Sequence, residues 1–196
     1  MNAVQLYVFR NKQVRILGRS NHMGIGIQIC GLNGCGKSTL GRALADKIGF
    51  RFIDNENLYF ARSQVNEPYT NPRSEEEVER LLMNEVVEHP NFIFAAVRGN
   101  YGKEIIPMYN YVVVIEVPKE IRSQRVRNRS FQKFGKRMLM GGDLHEQEEA
   151  FFRIAESRHD NYVENWLKLV KCPIIRVDGT KTIEENVQLI IQTINI

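Results

Sequence analysis

Cysteine is scarce in this 196-residue chain, with Cys30, Cys35 and Cys172 the whole set. They form neither an even disulfide framework nor a metal-ligand spacing, which favours a reducing, cytoplasmic setting. The four histidines are scattered as well, so no metal site built from their side chains is expected. Long apolar runs are missing. The longest, Tyr111 to Val117, is strand-length, whereas a bilayer span needs about 20 residues, so a membrane is not among the expected partners. Acid is absent from residues 1–22, which hold Arg10, Lys12, Arg15 and Arg19. Of 27 basic residues those four fall there, and the 23 left match the 23 acidic ones. A pI near 9.0 would otherwise suggest nucleic acid; with the excess confined to the leader, nucleic acid is not among the expected partners. The leader itself has three readings: a small hairpin on alternating Val4, Leu6 and Val8 with Val14 and Ile16, a targeting peptide, or an appended or misassigned start. The last is preferred, because Met23 precedes the first core strand and could itself initiate translation.

What is present is a complete phosphate-binding loop, Gly31-Leu32-Asn33-Gly34-Cys35-Gly36-Lys37-Ser38, followed by Thr39. Glycines let the backbone curl so that successive N–H groups face phosphate oxygens. Lys37 would reach the β and γ phosphates, and the Ser38 hydroxyl would ligate Mg²⁺. Upstream, Ile25, Ile27 and Ile29 alternate as in a strand. Downstream, Leu40, Ala43, Leu44 and Ile48 recur at helical spacing before Gly49. That order points a helix N-terminus at the phosphates. A nucleoside triphosphate is the expected ligand.

Further elements alternate. Phe50, Phe52 and Ile53 suggest a strand ending at Asp54, and residues 57–73, with Pro68 and Pro72, a loop or short broken helices over the substrate. Ser74 with Glu77 makes a capping box for a helix stopped by Pro90. Phe92 to Val97 and Tyr111 to Val117 are buried strands. Pro118 opens a helix to about Arg129, a basic segment runs from Ser130 to Leu144, and one long helix is expected over 146–171. Ile174 to Val177 is the last strand, and Thr182 with Glu185 caps the last helix. Strands alternating with helices imply an α/β fold with a parallel sheet covered on both faces. One domain, 23–196, follows the leader 1–22.

Phosphate loop, acidic strand end, arginine strand end and Arg-rich lid before a long helix together resemble the P-loop small-molecule kinases, the group of adenylate and nucleoside monophosphate kinases and of shikimate and gluconate kinases. The resemblance spans about residues 23–196. It implies a three-layer P-loop NTPase fold with a five-stranded parallel sheet and a lid at about 130–145. It also implies ATP with Mg²⁺, and transfer of the γ-phosphoryl group to a small acceptor: a nucleoside, a nucleotide, or a hydroxy or sugar acid.

Candidate site residues follow from strand ends, where open α/β sheets bind ligands. Asp54, with Glu56 two residues on, would orient or deprotonate an acceptor hydroxyl or hold a water on Mg²⁺; a solvated acidic turn is the alternative. Arg98 follows a strand, Phe92 to Val97, that has no Walker-B acid. That argues against motor and switch ATPases and suits an arginine that holds an anionic acceptor; a surface ion pair is the alternative. Arg122, Arg125 and Arg129 step by three and four along one helical face, with Arg127 elsewhere. Arg125 and Arg129 resemble the paired arginines at the start of the adenylate kinase lid, where they would neutralise charge on the transferring group. Arg158 falls in the apolar stripe of Phe151, Ala155, Tyr162, Trp166 and Leu169, so it must be paired or reach a charged ligand; Arg153 lies opposite. Lys133, Lys136 and Arg137, with Gly135, Gly141 and Gly142 as hinges, suit a mobile basic flap. Cys35 is a small filler of the loop, and Asp178 to Lys181 would pack against adenine by resemblance. The expected activity is an ATP-dependent phosphotransferase. A non-catalytic nucleotide-binding regulator on the same frame is the alternative, with a polynucleotide kinase less favoured. No Asn-Lys-x-Asp guanine motif is present.

Overall fold

The computed structural model describes residues 8–9, 12–13, 24–60, 71–159 and 161–196. Within the leader, β1 (Val8–Phe9) and β2 (Lys12–Gln13) pair antiparallel with Phe9 opposite Lys12. The other residues of the hairpin reading and the start at Met23 lie outside the described residues.

The core begins with β3 (Gly26–Cys30) and α1 (Lys37–Ile48), then β4 (Arg51–Asp54) and the short α2 (Asn55–Tyr59). Residues 61–70 of the expected substrate loop, Pro68 included, lie outside the described residues. Next come α3 (Glu75–Glu88), β5 (Phe92–Ala95), β6 (Tyr109–Glu116) and α4 (Lys119–Phe134). The chain ends with α5 (His145–Ser157), α6 (Asn161–Leu167), β7 (Ile174–Asp178) and α7 (Ile183–Ile194). The five core strands are all parallel in the order β4-β5-β3-β6-β7.

Alternation along each strand divides the core in two. Ile27, Ile29, Ile93, Val113 and Ile115 pack against Leu40 and Leu44 of α1 and Val187 and Ile190 of α7. Cys30, Phe92, Phe94, Val112 and Val114 face Val78, Leu82 and Val86 of α3 and Val163 and Trp166 of α6. Burial on both faces explains why β5 and β6 read as unbroken apolar runs. These are the three layers expected.

Two expectations are corrected. The helix from Pro118 does not stop near Arg129 but continues to Phe134, because Val126 and Ser130 remain on its buried face. The long helix over 146–171 is two helices broken at Arg158, whose backbone turns extended at φ −73° and ψ 118°. Leu169, expected in the apolar stripe, is exposed. The break lets Phe152 and Ala155 on α5, and Val163 and Trp166 on α6, bury in different directions. Between α4 and α5 the segment is folded: Arg137 grips Asp143 at 2.7 Å, the His145 ring meets Met138 O at 3.1 Å, and Met138 packs with Val126 and Phe152.

Candidate active site

The phosphate loop leaves the C-terminal end of β3 and enters α1 through Gly36, at φ +98°. No side chain caps α1, so the first-turn N–H groups keep their donors for a ligand. A Cβ on Gly36 would meet nothing within 4 Å, an open position beside those amides. The same loop is closed from behind: at Gly34, φ +84°, a Cβ would stand 2.4 Å from the Arg122 carbonyl. Lys37 Nζ donates to Leu32 O at 3.1 Å and lies 3.8 Å from Cys35 Sγ. Free amides, an ammonium and the Ser38 hydroxyl form a donor set that fits polyphosphate with Mg²⁺. Among the described residues no group of three His, Cys, Asp or Glu could hold a metal alone, so phosphate and water oxygens would complete any Mg²⁺ shell.

A cleft of about 610 Å³ opens at this edge of the sheet. It brings together Asn33, Gly34, Lys37, Ser38, Asp54, Glu56, Arg98, Arg129 and Arg158. Asp54 ends β4 beside Ala95 of β5, and its Oδ1 accepts from the Glu56 N–H at 3.1 Å, capping α2. It is therefore both the acidic turn and a wall of the cleft. Arg98 stands three residues beyond β5, not directly on its end. The loop carrying it is pinned below by the Tyr109 hydroxyl donating to Gly99 O at 2.9 Å. Its guanidinium lies 4.1 Å from the centre of the Tyr162 ring, and that of Arg158 lies 5.3 Å from the same ring. Arg158 also donates to Asn33 Oδ1 at 2.7 Å, tying the α5–α6 break to the phosphate loop.

Other expected residues lie elsewhere. The three arginines on one face of α4 end in three places. Arg122 is buried and donates to Val117 O at 3.0 Å; Arg125 donates to Gly179 O at 3.0 Å in the turn after β7; only Arg129 borders the cleft. Gly31 borders a second hollow of about 480 Å³ with Leu32, Arg122 and Asp178. Cys35 is buried and Thr39 exposed, neither lining the cleft. Arg153 is exposed and outside it. Arg127 turns away to Glu149 and Glu156, over the Phe152 ring.

Tyr101 lies in the segment Gly99-Asn100-Tyr101-Gly102, which reads as a binding loop in the sequence, whereas Tyr59, Glu75, Glu79, Glu148 and Tyr162 escaped sequence reasoning as lining residues. Glu75 and Glu79 do sit four apart on α3, one strip of a helix, and that was their signal. Tyr101 stacks edge-on to Phe94 at 5.3 Å and to Tyr59 at 6.5 Å. Burial, then Glu75 and Glu79, push the Tyr59 hydroxyl above its ordinary value; burial chiefly does the same for Tyr101.

A family model described as an AAA domain matches residues 27–150, from β3 through the first turns of α5. The chain belongs to the AAA domain family. Shikimate kinase from Bacteroides thetaiotaomicron aligns with this AAA domain protein at a TM-score of 0.52 and 21% identity, over 88% of this chain and 99% of that one. Shikimate kinase from Acinetobacter baumannii, in complex with shikimate, gives 0.53 and 18%, over 88% and 94%. The uncharacterized protein YqaC of Bacillus subtilis (strain 168) is 28% identical over 174 residues, 84% of this chain and 94% of that protein. The AAA domain here thus has the fold of the P-loop small-molecule kinases. Among the described residues no helix is long and apolar enough to cross a membrane.

Proposed function

We propose that this AAA domain protein is an ATP-dependent phosphotransferase acting on the hydroxyl of a small acceptor. The supporting observation is the shared cleft: Lys37 and Ser38 of the phosphate loop, Asp54, Arg98, Arg129 and Arg158 all line it. The loop amides with Lys37 bind the triphosphate, and Ser38 with Asp54 are the oxygen donors that would hold Mg²⁺. Mg²⁺, when bound, neutralises phosphate charge. The acceptor oxygen attacks the γ-phosphorus, the bond from that phosphorus to the β–γ bridging oxygen breaks, and ADP leaves. Asp54 orients the hydroxyl and takes its proton. Arg129 and Arg158 offset negative charge spreading over the transferred group, as a dry cleft with fixed donors does well. Glu56 and Arg98 position the acceptor. Arg125, held at Gly179 O, serves the nucleotide side of the phosphate loop. Residues 130–145 close over the cleft as its lid.

The test is ADP release measured against an acceptor series with and without Lys37→Ala and Asp54→Asn. Lys37→Ala should lower acceptor-dependent release by about a hundredfold or more, and Asp54→Asn by about a hundredfold on a hydroxyl acceptor. Release unaffected by Lys37→Ala would exclude kinase activity at this loop. A full rate in Asp54→Asn would remove its role as base and leave the rest.

A further inference from the structure

The charges of the cleft are sorted. Arg158 is bonded to Asn33 and Lys37 belongs to the loop itself, so these two cations sit at the phosphate end, while Arg98, over the Tyr162 ring, also acts on the Tyr59 and Tyr101 hydroxyls. The α2–α3 wall carries Glu56, Glu75 and Glu79, and Tyr59 and Tyr101 line the same cleft. Among the described residues none of these three carboxylates has a hydrogen bond or ion pair from its side chain. The Glu79 and Glu104 carboxylates both approach Gly102, within 3.1 and 3.4 Å of where its Cβ would stand. Like charges set side by side favour a cation between them.

Glu148 makes the point independently. Its side chain lines the same cleft from α5 and is only 3% exposed. Among the described residues nothing donates to its carboxylate, and Arg129 forms no ion pair with it. A carboxylate can only accept, so this one is open to a donor that enters the cleft. Asn55 Oδ1, at the start of α2 and on the same cleft, is a buried acceptor with no donor among the described residues.

We propose that the acceptor is a cationic, amine-bearing polyhydroxyl compound, whose ammonium and hydroxyl groups donate to the carboxylates of Glu75, Glu79 and Glu148. This rests on the reading of the cleft as the acceptor site. It narrows that reading sharply, because acids and phosphate esters would face carboxylates that repel them, and it leaves Arg98 to donate to an acceptor hydroxyl oxygen and not to an anion. The faces of Tyr59 and Tyr101 also suit an ammonium.

A matched series of one sugar skeleton separates the possibilities: glucosamine, glucose and gluconate. Binding is read on the full chain by saturation-transfer NMR without nucleotide, and turnover by ADP release. Glucosamine should bind about tenfold more tightly than gluconate, with glucose between, and the gap should shrink in high salt. Glu79→Gln and Glu148→Gln should each reduce the preference by about fivefold. Equal binding of all three, preference for gluconate, or no saturable binding of glucosamine overturns the proposal. If Glu148→Gln slows turnover on every sugar alike while the preference persists, Glu148 positions Arg129 instead and its part is overturned. Binding in the expected order without ADP release would sink the kinase reading and keep the acceptor class.

Discussion

Gly34 is the residue at which the phosphate loop tolerates least change. It holds φ +84°, and a Cβ there would press on the Arg122 carbonyl of α4 at 2.4 Å. That contact is backbone, so it cannot swing aside. Gly34→Ala should cost about 1–3 kcal/mol of stability, read as a lower midpoint in urea unfolding. Gly36→Ala, at φ +98° with open space around it, should cost about 1 kcal/mol by its dihedral alone, so equal losses at the two sites would refute the role of Arg122. Cys30 gives a second residue-scale test. It is wholly buried under Trp166, and burial pushes its thiol up to about 12. At pH 8 that leaves roughly a thousandfold less thiolate than an ordinary cysteine has. Iodoacetamide should therefore label the half-buried Cys172 first and leave Cys30 intact until the chain unfolds, as peptide mass mapping would show. Both residues were visible in the sequence, Gly34 with its constraint implied by the motif. The burial of Cys30 was not, since it depends on which face of β3 meets α6.

At the scale of elements, the turn from β7 into α7 is held by its caps. Asp178 accepts from the Thr180 N–H and hydroxyl at 2.8 and 2.6 Å, and Thr182 and Glu185 form a reciprocal capping box. These bonds hold the carboxyls of Asp178 and Glu185 below their ordinary values of 3.8 and 4.5. Because the folded values are the lower ones, this stabilisation is complete above about pH 4.5 and is lost as pH falls through them. Thr182→Ala should cost about 1 kcal/mol at pH 7, and its gap from the parent should narrow near pH 3 in thermal melts. A constant gap would mean the box does not stabilise through Glu185. This cap was legible because Thr182 and Glu185 are three apart in sequence, and so were the five strands, whose apolar runs are local. The break at Arg158 was not: Phe152 and Trp166 pack in different clusters, a choice made by tertiary contacts that override a continuous helical pattern. For the same reason the wall of Glu75 and Glu79 beside Tyr101 was missed. It is assembled by the crossing of α3 over the loop after β5, not by spacing.

For the whole molecule, one bond joins the two parts that must act together. The phosphate loop belongs to the sheet, and Arg158 to the junction of α5 and α6, 125 residues away; they meet at 2.7 Å through Asn33. The same arginine lies against Tyr162, next to Arg98. Any ligand that settles on the loop amides also settles the arginines around Tyr162, so nucleotide binding should stiffen α5 as well as the loop. Binding to the folded state alone adds stability as RT ln(1 + [L]/Kd), about 2.7 kcal/mol at a hundredfold excess over Kd. With a non-hydrolysable ATP analogue and Mg²⁺, amide exchange should slow in both the first turn of α1 and the last turn of α5. In Arg158→Met the slowing should persist at α1 and fall by about tenfold at α5, since Met preserves stem packing but donates nothing. Equal slowing at α5 in both proteins would show that α5 is coupled to the loop by other contacts. No slowing at α1 in the parent would show that the loop does not hold the triphosphate at all.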